Sequence, residues 1–142
     1  RFGGPLTLVV ADLDDFKEVN DRFGHLTGDC VLRDFGAVLR STVRDVDLAC
    51  RWGGEEFVLV LPGTDAEGGV NLAERIREHL RDHVTRALDG TPVHFTASFG
   101  VAAAAAGTNG QELLARADAA LYEAKRAGKD RVERAAEALA RP

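Results

Sequence analysis

The run Asp12-Leu13-Asp14-Asp15-Phe16-Lys17 sets three carboxylates and a lysine within six residues, directly after the apolar, β-branched stretch Leu6 to Asp12 (LTLVVAD). Such a stretch reads as a buried strand, so the carboxylates stand at its C-terminal edge, and a short helix is expected from Asp15 to Phe23. Mg²⁺ prefers carboxylate and carbonyl oxygens together with phosphates, while the free amides of a helix start favour anions. The combination suits a metal-bound nucleoside triphosphate. Taken alone, Asp14 and Asp15 read better as caps of that helix.

A second constellation is Arg51-Trp52-Gly53-Gly54-Glu55-Glu56-Phe57. Two glycines supply the positive φ of a tight hairpin at Gly53-Gly54 and let backbone approach a phosphate closely. Adjacent glutamates beside the tip repel one another unless a cation or partner neutralises them. If the first strand and this hairpin are neighbours, Asp12 and Glu55 flank one ion, and the carbonyl of Leu13 completes a set that leaves octahedral positions for phosphate and water. Other candidates carry less. His79 and His83 are four apart, but no Glu follows His79 and no third ligand is apparent, so they read as surface histidines. Cys30 and Cys50 form no Cys-x-x-Cys and have no evident activating base, so they read as small packing residues in a reducing cytoplasm.

The elements that must position these groups follow from periodicity. The 142 residues suit one domain, and the net charge of −5 argues against the broad basic face of a nucleic-acid binder. No apolar run approaches the ~20 residues that span a bilayer, so no membrane contact is expected of this segment. The start at Arg1-Phe2-Gly3-Gly4, without Met or a leader pattern, suggests a piece of a longer protein. Val31, Phe35, Val38, Leu39 and Val43 mark the core face of a helix after a Gly24-His25 break, and Leu48 to Trp52 with Phe57 to Pro62 make the hairpin. Thr64-x-x-Glu67 reads as a capping box opening a helix with Val70, Ala73, Ile76 and Leu80 inward. Val93 to Val101 reads as one strand, and Thr108-x-x-Gln111 opens a last helix that Gly128 stops, with a short strand expected at Arg131 to Glu133. The order predicts an α+β fold of the ferredoxin-like kind, a mixed, mostly antiparallel sheet with helices on one face. Residues 1–132 form the expected domain, and 133–142 (ERAAEALARP) a helical tail or linker.

With these residues in view, Arg-Trp-Gly-Gly-Glu-Glu-Phe resembles the signature of GGDEF-domain diguanylate cyclases in its GGEEF form. Around it stand Asp-Leu-Asp-Asp-Phe-Lys (12 to 17), Asn20-Asp21-x-Phe-Gly-His25, Gly28-Asp29, Ala73-Glu74-Arg75-Ile76, Ser98-Phe99-Gly100-Val101 and Ala117-Asp118-x-Ala-Leu-Tyr-x-Ala-Lys125, in that family's order, from Leu6 to Val132. The resemblance implies the nucleotidyl-cyclase and polymerase-palm-like version of the fold. It also implies condensation of two GTP into cyclic di-GMP with release of two pyrophosphates, by two subunits each holding one GTP.

Carried over position by position, the resemblance implies Mg²⁺ or Mn²⁺ on Asp12, the carbonyl of Leu13 and Glu55. Glu56 then serves either the metal or the attacking 3′-hydroxyl. Asn20 and Asp29 match guanine-reading positions: guanine offers adjacent N1–H and N2–H donors to a carboxylate, where adenine would offer a lone pair. Phe16, Lys17, Gly54, Lys125 and Lys129 match the remaining substrate contacts, Lys125 and Lys129 lying one turn apart if the last helix persists. Arg44-x-x-Asp47, five residues before Gly53, resembles the inhibitory site for cyclic di-GMP, with Arg75 as a second contributor. An upstream sensory domain, a homodimer and a cytoplasmic location are implied as well, in a parent protein that could be membrane-anchored. The chain departs from the family pattern at Cys30, where an acid commonly follows Gly-Asp, at Trp52 for the usual Tyr, at Lys129-Asp130 for the usual Arg-Asn, and in lacking the opening Asp-x-Leu-Thr segment. A catalytically silent module that senses GTP or cyclic di-GMP is the alternative, against which the intact Asp12, Glu55 and Glu56 argue. A cyclase with an adenine-containing product is disfavoured by Asp29.

Overall fold

The computed structural model describes residues 4–137; residues 1–3 and the 138–142 part of the expected tail lie outside the described residues. In chain order the elements are β1 (Leu6–Leu13), α1 (Phe16–Phe23), α2 (His25–Thr42), β2 (Leu48–Gly53), β3 (Glu56–Pro62), α3 (Ala66–Asp82), β4 (Thr85–Arg86), β5 (Pro92–Val93), β6 (Ala97–Ala103), α4 (Gly110–Arg126) and β7 (Val132–Arg134). Five strands form one sheet in the order β2-β3-β1-β6-β7, and β4 pairs with β5 in a separate ribbon. All pairings in the main sheet are antiparallel except β6 with β7. This is the mixed, mostly antiparallel α+β sheet expected.

Helices cover both faces of that sheet, not one. The reason lies in β1, whose run is apolar without alternation and therefore asks for burial on both sides. Val9, Ala11 and Leu13 join a core with Val31 and Phe35 of α2 and Leu72 and Ile76 of α3. Leu8 and Val10 point the other way, into a second core with Leu113, Ala117 and Leu121 of α4. On the first face, Phe35 meets Phe57 edge to face at 5.1 Å and fixes α2 against β3. The α1 helix contributes no fully buried residue and leans on that core through the partly buried Phe16, Val19 and Phe23.

Local boundaries differ from the pattern reading where a better competitor sits next door. The cap of α3 is Asp65, which accepts from the Gly68 amide at 2.8 Å, and that of α4 is Asn109, which accepts from Glu112 at 2.8 Å. Each stands one residue after the expected threonine, and Asp and Asn cap at least as well as Thr. The threonines serve elsewhere: the Thr64 carbonyl accepts from the buried Thr7 hydroxyl, and Thr108 accepts from Ala105. The expected strand Val93 to Val101 is broken at 94–96, Val93 pairing with β4 and residues 97–101 with β1. Glu133 and Arg134, expected to open a tail, extend β7, and the Ala135 amide donates to Val101 at 2.7 Å.

Two ties hold this frame. Gly100 lets α4 lie directly on β6: a Cβ there would sit 2.1 Å from the Ala117 carbonyl oxygen and 2.4 Å from the Leu121 nitrogen. Asp34 of α2 receives the Thr85 hydroxyl at 2.6 Å and lies 2.8 Å from His83 Nε2, joining α2 to the end of α3 and to β4. Against the desolvation that burial imposes, those partners hold the Asp34 carboxyl below its ordinary range.

Gly100→Ala meets rigid backbone on both sides, so it is expected to cost about 2–3 kcal/mol, readable as a drop in Tm of several degrees. An unchanged melting curve would show that α4 can move off the sheet freely. For Asp34 the folded pKa lies below the unfolded one. Its contribution is therefore complete above the unfolded value and is lost as pH falls through the folded value. The stability advantage of the parent over Asp34→Asn, measured by urea denaturation at a series of pH values, is expected to be constant near neutrality and to shrink below about pH 4.

Candidate active site

The site is built where β1 ends. Asp12 and Ser98 are paired across β1 and β6, and Asp12 and Glu56 across β1 and β3. The Leu13 amide donates to the Glu55 carbonyl at 3.3 Å, so the end of β1 and the hairpin tip share a hydrogen bond. The two-residue turn is Gly54-Glu55, with Gly53 and Glu56 already paired as strand residues. Only Gly54 of the two glycines has a positive φ, 48°. A register shift between Arg51 and Gly53 makes Trp52 a bulge, and the Arg51 guanidinium reaches forward to the Gly54 carbonyl at 2.8 Å.

Asp14 is the buried member of the cluster, its side chain 2% exposed. It accepts from the hydroxyls of Thr96 and Ser98 at 2.6 Å each, from the Asp130 amide at 2.9 Å, and from the Lys125 ammonium at 2.8 Å. Desolvation would raise its pKa, but Lys125, Ser98 and Thr96 outweigh it and keep the carboxyl below the ordinary range. Asp14 is therefore not a helix cap. Asp15 occupies the N-cap position of α1 in left-handed backbone without a side-chain cap bond, and pairs with Lys129.

The Lys125 ammonium also lies 2.9 Å from the Asp12 carboxylate and donates to the Leu13 carbonyl at 3.0 Å. The oxygens of Asp12 and Leu13 thus already accept one cation between them. Burial pushes the Asp12 carboxyl up, with Lys125 holding back part of the rise and the charges of Asp14 and Asp118 adding to it. Burial likewise raises Glu55, helped by Asp12, and Glu56, helped by Asp118 and Asp12. Among the described residues no three His, Cys, Asp or Glu side chains form a metal cage. The donor set on offer is two carboxylates with one carbonyl, hard oxygens carrying excess negative charge, which fits Mg²⁺ or Mn²⁺.

The proposed base-reading residues lie along the helices. Asn20 is inside α1, and its Oδ1 is buried without a partner. Gly28 makes room for it: a Cβ at Gly28 would stand 1.8 Å from that oxygen and 3.3 Å from Phe16 Cζ. Asp29 is exposed in the interior of α2. It lines a groove of about 490 Å³ that runs past Leu32 and Gly36 to Arg51 and Phe57 at the hairpin. Lys17 is not brought in, its side chain being 89% exposed and paired with Asp21. Nor are Lys125 and Lys129 on one helix face. A Schellman closure ends α4, with Lys129 N–H to Ala124 and Gly128 N–H to Lys125, and Lys129 itself is left-handed.

Away from this cluster, Arg44, Asp47 and Arg75 line one small cavity of about 190 Å³ together with Thr64. Arg44 forks onto the Asp47 carboxylate, Nη2 at 2.8 Å and Nε at 3.2 Å, and also donates to the Pro62 carbonyl. The pattern reading passed over three participants: Thr96, whose role appears only once the strand is broken; Gly28 as the space for Asn20; and Asp118, whose signal is its position seven residues, about two helical turns, before Lys125.

Comparison with known proteins agrees. The model of the family "Diguanylate cyclase, GGDEF domain" matches residues 2–131. Diguanylate cyclase DgcP of Pseudomonas aeruginosa is 46% identical over 133 residues, 94% of this chain and 20% of that protein. Response regulator PleD of Caulobacter vibrioides is 43% identical over 132 residues, 92% of this chain and 29% of that protein. The chain therefore spans between a fifth and a third of these relatives. The GGDEF domain of DgcB from Caulobacter crescentus, solved in complex with c-di-GMP, superposes with a TM-score of 0.89 at 35% identity, covering 93% of this chain and 78% of that one.

Gly28→Ala gives the geometry a direct test. The new methyl meets the movable end of Asn20 and, less closely, the ring edge of Phe16, both side chains and not backbone, so the fold survives while Asn20 is pushed from its place. Calorimetry with a non-hydrolysable GTP analogue is expected to show affinity lower by ~10-fold at nearly unchanged Tm; undiminished affinity would remove Asn20 from the pocket.

Proposed function

This chain belongs to the diguanylate cyclase GGDEF-domain family, and we propose that it condenses two GTP into cyclic di-GMP, releasing two pyrophosphates. The observation that carries this reading is the shared end of β1 and the hairpin, where the Leu13 amide binds the Glu55 carbonyl and where burial, helped by the Asp12 charge, raises the Glu55 pKa. Asp12, the Leu13 carbonyl and Glu55 would hold Mg²⁺ or Mn²⁺, which when bound offsets charge on the α-phosphate and acidifies the attacking 3′-hydroxyl.

The chain's own groups do the positioning. Asp29 accepts from the guanine N1–H and N2–H, and the unpartnered Asn20 oxygen supplies a further acceptor. Amides at Phe16 and Gly54, with Lys125 and Lys129, take the phosphates. For Lys125 and Lys129 this means exchanging a carboxylate partner for a phosphate one, which keeps the charge paired at each stage. Lys17, exposed and paired with Asp21, would have to leave that partner to reach a phosphate. Glu56, its pKa raised by burial and by Asp118 and Asp12, is read as the group that takes up the 3′-hydroxyl proton.

One chain has one guanine groove and one hairpin, whereas the product contains two symmetrical phosphodiesters, so two copies must face each other across a two-fold axis. The cavity of Arg44, Asp47 and Arg75 is read as the inhibitory site: two guanidinium planes suit the phosphates and purines of the product. A sensory domain elsewhere in the full protein would set how often two copies meet, in the cytoplasm where GTP is available. No helix among the described residues is long and apolar enough to cross a membrane.

Chromatography of products after incubation with GTP or ATP and Mg²⁺ tests the reading. Cyclic di-GMP from GTP and no cyclic product from ATP is expected; binding without turnover would leave a silent sensor instead. Glu55→Gln is expected to lower the rate by ~10²-fold or more with Tm retained, and near-parental synthesis by that folded variant would overturn the metal assignment.

A further inference from the structure

Helix α3 borders the Arg44 cavity and carries one arginine to it and a second to the loop after α4. Arg75 lines the cavity with Arg44 and Asp47. Arg77, two residues on and so roughly 200° around the helix, turns to the loop after α4. Its side chain is 18% exposed, and its guanidinium donates to Glu74 of the same helix at 2.8 Å and through Nε to Asp130 Oδ1 at 3.2 Å. Asp130 in turn donates its backbone amide to the buried Asp14. The neighbouring Lys129 pairs with Asp15, so this loop grips both residues between β1 and α1.

The grip is held by backbone that few residues adopt. Lys129 and Asp130 have φ of 65° and 47°, consecutive left-handed residues without a glycine. Such a conformation persists only where surrounding contacts over-determine it, and here the contacts are Arg77, Asp14 and Asp15.

We propose that Arg77 and Asp130 are positioning residues that tie α3 to Asp14, and that this tie carries the effect of a cyclic dinucleotide in the Arg44–Asp47–Arg75 cavity to the nucleotide site. The inference rests on the reading of that cavity as the inhibitory site. A phosphate seated there competes with Asp47 for Arg44, whose Nη2 also holds Thr64, the residue just ahead of the α3 cap. Arg44 and Arg75 together thus pull on α3, which its packed core lets move only as a unit. A ligand shifts a distant site only through arrangements that it binds unequally. The two arrangements are α3 with Arg77 on Asp130, and α3 displaced with that hydrogen bond lost and the Asp130 amide withdrawn from Asp14.

The test uses Arg77→Gln, on an otherwise intact helix surface, Asp130→Ala, and Asp130→Asn. Asparagine keeps an oxygen for Arg77 and tolerates left-handed backbone, so it is the rescuing variant. For each protein, cyclic di-GMP binding is measured by calorimetry, and the synthesis rate at saturating cyclic di-GMP is expressed as a fraction of its own uninhibited rate. Arg77→Gln and Asp130→Ala are expected to bind cyclic di-GMP as the parent does yet to retain at least ~3-fold more of their rate, while Asp130→Asn behaves as the parent. The same residual fraction in all four proteins overturns the tie. Loss of binding together with loss of inhibition also overturns it, since the pair would then act within the cavity. A parent that makes cyclic di-GMP but neither binds it at Arg44 nor is inhibited overturns the cavity reading, and this inference with it, while leaving the synthetic activity standing.

Discussion

A carboxylate taken out of water must find its hydrogen bonds inside the protein, and Asp14 finds four. Each comes from a different stretch: Thr96 from the break before β6, Ser98 from β6, Lys125 from α4 and Asp130 from the loop beyond it. Removing any one leaves a buried charge under-satisfied, which costs more than the bond contributes when made. The end of β1 is thereby fixed against four later stretches at once. Asp12 and Leu13 have their places because Asp14, one or two residues on, cannot move.

The sheet does the rest of the positioning through register. Seven consecutive pairs on each side of β1 set Asp12 against Glu56 on one flank and Ser98 on the other. A slip of one residue would turn the first core's side chains into the second and separate Glu55 from Leu13. Burial of both faces of β1 forbids that slip, so the apolar composition of LTLVVAD, far from the chemistry in kind, is what holds the carboxylates in line.

Much of this was legible in the residues. The strand ending in carboxylates, the glycine hairpin, the helical core faces and the stop at Gly128 are local patterns, and local patterns survive folding when nothing better competes nearby. What could not be read is what long-range partners decide. Asp14 and its partners are 82 to 116 residues apart in sequence, so nothing near Asp14 distinguished a buried anchor from a helix cap. The same holds for Lys17 and Lys129, alike as cations in the sequence, of which only the second reaches the cluster. The break at 94–96 was hidden because Val93, Phe95 and Ala97 keep the alternation of a strand even though Val93 and Ala97 serve two different sheets and Phe95 neither. The pairing of Arg77 with Asp130, separated by 53 residues, had no local signal at all.

The bulge at Trp52 has an effect beyond orienting the hairpin. With β3 on one side only, β2 is a border strand whose outer amides and carbonyls face water, and it displays Leu48 and Trp52, 58% and 60% exposed. A straight, apolar border of that kind is a template on which a second chain can add a strand and begin to aggregate. The register shift between Arg51 and Gly53 breaks the regular spacing of those outer groups and increases the local twist, and the exposed Arg51 adds a charge beside it. The distortion that turns Gly54 and Glu55 toward β1 thus also blunts this border against the addition of a foreign strand.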